Sequence, residues 1–481
     1  MTLALNKTKI VCTIGPASES PDTLRQMLQA GMNIARLNFS HGNFAWHKMV
    51  INNLRRAAHM AGNPVTIMAD LSGPKIRIGQ LAEEPVTLKR GELFTLTTTE
   101  IIGDLQRVSV NLPSLPEVVK PLDILFLNDG IIQLEVGKVV DNDVQCRVLV
   151  GGELRSHKGL NLPGIDLGVC AFTEHDHACL KFALENGVDA ISQSFVETAA
   201  DIEAVRNAAA ALGYRPFIIA KIERARALDH VDEILKASDG IMVARGDLGV
   251  ETPLERIALV QKQLISRANL FGKPVITATQ MLESMVDHYR PTRAEATDVA
   301  NAVLDGTDCL MLSEESAMGK FPAEAVNMLA STAAATEPYR IDPCVRETFA
   351  NYNLDGDIHF LDLLSRSIQQ TVAHLSPTAV IVPTVTGHTA RMVSRFKLPV
   401  WIVAVSQHEA TCQGLQFSFG VSPVHAPEYP QDWNRFARCW TESEDLPNQL
   451  IVFTEGPSRD NPKKNLRLEI IDLRDGGSEA V

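Results

Sequence analysis

The sequence predicts an α/β protein: a (β/α)8 TIM barrel carrying an inserted all-β lid domain and followed by a C-terminal α/β domain. Three observations carry this expectation. Eight short apolar runs, starting at Lys9, Asn33, Val65, Ala190, Phe217, Ile241, Val275 and Cys309, have the length of strands buried on both faces, and a helical pattern follows each except where the third is interrupted. Residues 72–158 lose that alternation and read instead as short period-2 segments separated by Gly and Asp/Asn turns. A polar, proline-bearing stretch, 338–360, then separates a further set of strands and helices. The expected domains are therefore 1–71 with 159–338 for the barrel, 72–158 for the insert and 339–481 for the terminal unit.

The elements follow in order. KIVCT (9–13) is a strand, and the next helix has Ser20 as its cap, Pro21 in its first turn and Gly31 past its end. The strand at 33–37 runs into Arg36, Asn38, Ser40 and His41, and the strand at 65–69 runs into Asp70. The insert contains segments at 86–88, 93–97, 108–112, 131–136 and 144–150. Strand-helix alternation resumes after KGLNLPG (158–164), with a helix from Thr173, a strand ending at Ser194, and another helix after Thr198. The strand at 217–220 leads to a helical segment, 225–238, and the strand at 241–244 leads through a glycine-bearing loop, RGDLGVE, to a helix at 254–270. The strand at 275–278 ends at Thr279 and Gln280; Thr292 and Glu295 form a capping box; the strand at 309–312 ends at Ser313 and Glu314. Beyond the linker, strands at 379–382, 400–405, 450–453 and 466–471 alternate with helices. Thr384, Thr386, Gly387, His388 and Thr389 lie between the first of these strands and a helix, where hydroxyls and backbone N–H groups suit a phosphate or simply form a turn.

Composition narrows the function. In 481 residues, 45% are hydrophobic and 21% charged, and no apolar run approaches a membrane span. The opening MTLALNKTK lacks the long apolar region of a signal peptide, and eight cysteines without a CxxC pair suit reduced thiols in a cytoplasm. A net charge of −13 disfavours a nucleic-acid partner, since a phosphate backbone asks for a basic face.

The chemistry concentrates at 216–251. Two apolar strands there end in charges: Lys221 and Glu223 after the first, Arg245 and Asp247 after the second. Alternate residues of a strand point the same way, which sets Lys221 beside Glu223. Neighbouring strands place Glu223 within reach of Asp247, so the two carboxylates can share a divalent cation next to a fixed ammonium. That combination suits phosphoryl transfer, where spread negative charge must be held. A mutually paired, solvated rim is the plainer explanation, and the glycines around Asp247 weigh against it by letting backbone N–H groups approach an anion.

The stretches KIVCTIGPAS, NIARLNFSHG, KGLNLPG, AKIE, ASDGIMVARGDLGVE, GKPVITATQMLESM and RPTRAEATDVANAVLDGTDCLMLS, in this domain order, resemble the pyruvate kinase family over essentially the whole chain. The resemblance implies transfer of the phosphoryl group of phosphoenolpyruvate to ADP with Mg2+ or Mn2+, then protonation of the enolate to pyruvate. It makes Lys221, Arg36 and Thr279 catalytic, and it assigns the substrate to Arg36, Gly246, Asp247, Thr279 and Ser194. Glu223 and Asp247 match the metal ligands. Thr13, Pro16, Asn38, His41, Arg77 and Lys158 match nucleotide contacts, with Asp129 as a contact from the lid. Asn38, Ser40, Asp70 and Leu71 match a K+ site, but Lys75 stands where a glutamate is usual, which implies that K+ is not required. The resemblance also implies a cytoplasmic homotetramer and a phosphorylated effector at the 384–389 loop.

Two departures stand out. Glu314 adds a carboxylate in SEES where the family commonly has SGET and, pointed inward, would repel an anionic substrate. Residues 457–473 lack a glycine-rich run found in many relatives, which puts the effector pocket in doubt. Two other readings compete: another barrel enzyme acting on phosphoenolpyruvate or pyruvate enolates, such as a lyase, which would have no use for a lid, and a regulatory homologue without turnover.

Overall fold

The structure, a computed structural model, describes residues 3–128, 130–340, 360–447, 449–456 and 465–474. Asp129 and residues 457–464 of the segment read above lie outside the described residues.

Eight parallel strands close into a barrel: Lys9–Thr13, Ile34–Asn38, Thr66–Leu71, Ala190–Gln193, Phe217–Ile222, Gly240–Ala244, Val275–Ala278 and Cys309–Leu312. They follow one another around the barrel in chain order, and the insert leaves between the third and fourth without separating them: Ser192 still pairs with Asp70. Every position of most of these strands is buried because alternate residues face two different cores. Ile10 and Cys12 pack outward on the helices, whereas Val11, Ile34, Met68, Ala190, Ile219, Met242 and Ile276 fill the interior.

The insert has its own core around Phe94, Leu125, Leu134 and Val148, on a six-stranded and a two-stranded sheet. Leu160, Leu162 and Leu167 of the chain's return to the barrel pack into that same core. The terminal unit is a five-stranded sheet whose last strand, Arg467–Asp472, runs antiparallel to its neighbour at the edge. Among the described residues no helix is long and apolar enough to cross a membrane.

The terminal unit stoppers the barrel floor. Phe417 is fully buried among the interior residues, stacked on Phe217 at 5.2 Å between ring centroids. Around it the Cys309 thiol donates to the Phe417 carbonyl (3.2 Å), Lys9 Nζ donates to the Val421 carbonyl (2.7 Å) and Lys397 pairs with Asp308 at 2.6 Å.

Several local expectations change. RGDLGVE is a short helix, Arg245–Glu251, rather than a loop: Leu248 and Glu251 bury one side of it, and tertiary contact outweighs its two glycines. The single helix expected at 225–238 is a tight turn, Ala225–Leu228, followed by the helix Val231–Ala237; Asp229 and His230 donate to carbonyls three residues back, which ends the first piece. Elements that escaped the sequence reading include the strands Ile124–Leu127, Gly152–Leu154, Leu160–Asn161 and Val421–His425, and the helical turn Leu115–Val118 within the insert.

Candidate active site

The alternation that fills the barrel also builds the site. Ile34, Met68, Ala190 and Ile219 face inward, so Arg36, Asp70, Ser192 and Lys221, two residues further along their strands, face inward one layer higher, where the interior opens at the carboxyl-terminal rim. Ser194 and Glu223 continue the same two series just past the strand ends.

These groups meet. Lys221 Nζ lies 2.7 Å from Glu223 Oε1 and 3.3 Å from Asp70 Oδ2, and donates to Ser194 Oγ at 2.7 Å. Asp70 also accepts from Ser192 Oγ at 2.7 Å and from Arg36 through both Nε (2.8 Å) and Nη2. Glu223 Oε2 accepts the Phe195 N–H at 2.9 Å. Arg36, Asp70, Lys221 and Glu223 are all buried. Burial alone would lower the Lys221 pKa, yet Asp70 and Glu223 raise it above the ordinary lysine value. Burial would likewise raise the Asp70 pKa, and Lys221, Arg36 and the Ser192 hydroxyl overcome it, holding the carboxyl below its usual range. The ammonium fixed at the mouth of the barrel is thus favoured in its charged form.

Two recesses open on this layer. The smaller, about 260 Å³, is lined by Arg36, Asn38, Ser40, Lys75, Arg77, Ser194, Lys221, Glu223 and Asp247. The larger, about 970 Å³, lies between the lid (Phe126, Gly130, Asn161) and the rim (Gly246, Asp247, Thr279, Glu314). Asp247 belongs to both. Thr279 and Gln280 hold positive φ angles of 70° and 51°, and a β-branched residue in that region is strained by on the order of 1–3 kcal/mol. The strain is braced: Thr279 Oγ1 accepts the Gly246 N–H at 2.8 Å, and Arg245 donates to the Thr279 carbonyl at 2.7 Å. Arg245 also pairs with Asp298 at 2.7 Å, so the guanidinium that the sequence set among the converging charges is committed to holding this turn.

The other expected residues divide. Thr13 is buried beneath the site, accepting from Arg36 Nη1 (2.8 Å) and donating to the Leu312 carbonyl (2.9 Å). Thr13, Pro16, His41 and Lys158 line neither recess, although His41 lies near enough to Lys75, Arg77 and Arg36 for them to add to burial in lowering its pKa. Leu71 is buried. Glu314 is exposed on the wall of the larger recess, where water screens its charge. In the terminal unit, Thr384 Oγ1 accepts the Gly387 N–H at 3.0 Å and Arg391 donates to the Thr386 carbonyl at 3.1 Å, so the 384–389 loop is held partly by its own groups, with His388 and Thr389 opening the helix His388–Ser394. The sequence reading missed Ser192, which inward alternation from Ala190 would have supplied. It also missed Arg224 and Glu251: Arg224 is one of several charges in KIERAR, and nothing in the sequence sets either residue apart.

A closed (β/α)8 barrel with a buried ammonium, a guanidinium and carboxylates at its carboxyl-terminal rim, under a separate β lid, defines a barrel phosphotransferase. The sequence profiles of the pyruvate kinase barrel domain and the pyruvate kinase alpha/beta domain match residues 5–326 and 362–466. The chain belongs to the pyruvate kinase family. It is 45% identical to the pyruvate kinase of Thermococcus litoralis over 88% of this chain and 89% of that one. Identity to the Thermotoga maritima pyruvate kinase is 38%, over 97% of this chain and all (100%) of the other. A solved pyruvate kinase from Cryptosporidium parvum superposes with a TM-score of 0.91 at 34% identity, covering 98% of this chain and 97% of that one. The chain is accordingly a pyruvate kinase in function, transferring the phosphoryl group of phosphoenolpyruvate to ADP, a chemistry that depends on a divalent metal.

Proposed function

We propose that this reaction runs in the recess around Lys221, with Mg2+ or Mn2+ held by Glu223 and Asp247 and with no requirement for K+. The observation that carries the reading is the position of Lys221 Nζ, fixed between Glu223, Asp70 and Ser194 on the wall of a recess that also contains Arg36 and Asp247. Two carboxylates bordering a polar recess fit Mg2+, which takes one or two carboxylates and completes its shell with water and substrate phosphates. When bound, the ion supplies charge that steadies the phosphates and the enolate oxygen.

The chain's own groups do the rest. Arg36 and Lys221 face the phosphoryl group as its bond to the enol oxygen breaks and a new bond to the terminal oxygen of ADP forms, and their charge acts most on the spread negative charge of that moment. The Gly246 and Asp247 backbone N–H groups and the Thr279 hydroxyl hold the substrate carboxylate, exchanging for it the bond that Gly246 N–H and Thr279 Oγ1 make with each other without substrate, with Ser194 alongside. Asn38, Ser40 and Lys75 stand where the K+ site would be, above Asp70 and Leu71, and Arg77, His41, Lys158, Thr13 and Pro16 serve the nucleotide side. The reading extends to a cytoplasmic homotetramer and to a phosphorylated effector at Thr384, Thr386, Gly387, His388 and Thr389.

The test is a coupled assay for ATP formation, run on the unmutated chain and on Lys221→Met. ATP formation should fall by about three orders of magnitude or more in the variant, while proton exchange on pyruvate, which does not involve phosphoryl transfer, survives. Near-normal turnover in the folded variant would remove Lys221 from the mechanism.

A further inference from the structure

Arg224 follows the proposed metal ligand Glu223 and lines the smaller recess beside it, while its guanidinium is engaged in a buried cluster. Its side chain is 4% exposed and that of Glu251 is 1%. Arg224 Nη2 donates to the Ile165 carbonyl at 3.1 Å and reaches the Leu162 carbonyl at 3.5 Å, both on the segment by which the chain returns from the lid. Its Nε lies 3.5 Å from Glu251 Oε2, and Nη2 lies 3.4 Å from Glu197 Oε1. Glu251 ends the helix that begins at Arg245 and carries Asp247, and its Oε2 accepts the backbone N–H of Ala225 (3.4 Å). The guanidinium therefore holds the return segment by its carbonyls, and its ion pair with Glu251 ties that segment to the helix bearing Asp247.

The return segment is part of the lid in packing terms, since Leu162 and Leu167 sit in the lid core. Asn161 and Pro163, next to the gripped carbonyls, line the larger recess together with Asp247. The opposite edge of the lid also approaches this helix: a Cβ on Gly130 would lie 3.6 Å from Val250. Three parts converge on the pair: the strand that leads to Lys221 and Glu223, the helix bearing Asp247, and the segment by which the chain returns from the lid. A planar guanidinium can serve two carbonyls and two carboxylates at once, which an ammonium on a flexible stem cannot do in one geometry.

We propose that Arg224 and Glu251 are positioning residues that lock the lid's return segment to the helix carrying Asp247, so that closing the lid over the nucleotide and setting that helix for the substrate are a single event. The inference rests on the reading that the reaction takes place at Lys221. Arg224 borders the smaller recess and Glu251 the larger, and the role proposed for both is exerted through the backbone they hold. A purely structural pair would show itself in stability alone, whereas a coupling pair shows itself in how one ligand affects the other's site.

The experiment compares the unmutated chain with Arg224→Gln, Arg224→Lys, Glu251→Gln and the double variant Arg224→Gln/Glu251→Gln. KM for ADP, kcat and amide hydrogen exchange are measured with and without Mg2+-ADP. In the unmutated chain Mg2+-ADP should slow exchange in 159–168 and in 245–251 together. Each single glutamine variant should raise KM for ADP by about tenfold, with the double variant no worse than the worse single, the signature of two residues acting as one unit. In the variants, protection of 159–168 by Mg2+-ADP should no longer extend to 245–251, and Arg224→Lys should fall between. Should Arg224→Gln fail to fold, Glu251→Gln and Arg224→Lys carry the same readings. KM within twofold of the unmutated value in folded variants, independent multiplying effects in the double variant, or joint protection that persists would each overturn the proposal. Turnover retained by Lys221→Met would instead overturn the reading beneath it, so the two failures are told apart.

Discussion

The two ends of the barrel are made from the same strands and treat buried polar groups in opposite ways. At the floor each cation is spent on a partner that closes the joint: Lys397 pairs with Asp308, Lys9 donates to the Val421 carbonyl, and the Phe417 ring fills what space is left. At the rim Lys221 and Arg36 are also buried and paired with Asp70, but they border an open recess, and the backbone has positive φ at Thr279, Gln280 and Phe195. The floor is arranged for packing and the rim for charge held ready. The strain at the rim is affordable because it is braced by Arg245 and by a well-packed interior below.

The largest expected effect tests the floor. Phe417→Ala removes a fully buried ring from the lowest interior layer and should cost about 3–5 kcal/mol of stability, read as a lower urea midpoint for loss of barrel structure. Under native conditions KM for both substrates should stay within about twofold, since the recesses lie at the other end of the strands. A shift in KM without a shift in midpoint would mean that the floor governs the rim and would break the contrast.

The next effect tests the rim. Glu223→Gln and Asp247→Asn should each raise the Mg2+ concentration for half-maximal rate by about 10–100-fold, because each strips a charge from a two-carboxylate, hard-cation site. Stability should change less than in Phe417→Ala. Unchanged Mg2+ titrations in both variants would make these carboxylates structural, like Asp308 at the floor.

The same contrast explains what was legible in the sequence. Strand positions could be read because apolar runs such as KIVCT and CLML are buried on both faces in a barrel, and the charges ending them pointed to the rim. The floor could not be read: Phe417 lies in GLQFSFG, between a helix and a strand that was itself missed, and its place depends on a contact made some 200 residues away in sequence from Phe217. The short helix Arg245–Glu251 was hidden by its glycines. The grip of Arg224 and Glu251 on the lid was hidden because carbonyl contacts leave no pattern in sequence. Lid and terminal strands at 124–127 and 421–425 were missed for a related reason: both carry a proline or glycine close by and short apolar runs that periodicity alone does not resolve.

The smallest expected effect concerns Lys75, which belongs to the rim but is only half-buried. Burial lowers its pKa to about 8; Arg77 and Lys221 push the same way, and Asp70 and Asp247 only partly oppose them. A lysine carries its charge below its pKa, so the ammonium that would replace K+ is present at pH 7 and is lost as pH rises through about 8. While charged it also excludes the ion, by roughly 4 kcal/mol for unit charges 4 Å apart at an effective dielectric of 20. Turnover in a buffer free of K+ and Na+, with an organic cation holding ionic strength, should therefore be full at pH 7. By pH 9 the charged fraction is about one-tenth, so K+-free turnover should fall about tenfold relative to pH 7 and K+ should begin to restore it. Lys75→Arg, which stays charged throughout, should keep K+-free turnover across the same range, and Lys75→Glu should require K+ at every pH. These variants separate Lys75 from other groups that titrate near pH 8, because only its own loss of charge is cancelled by arginine. Strong K+ activation of the unmutated chain at pH 7 would show that the rim leaves room for the ion and that Lys75 is spent on its neighbours, as the cations of the floor are.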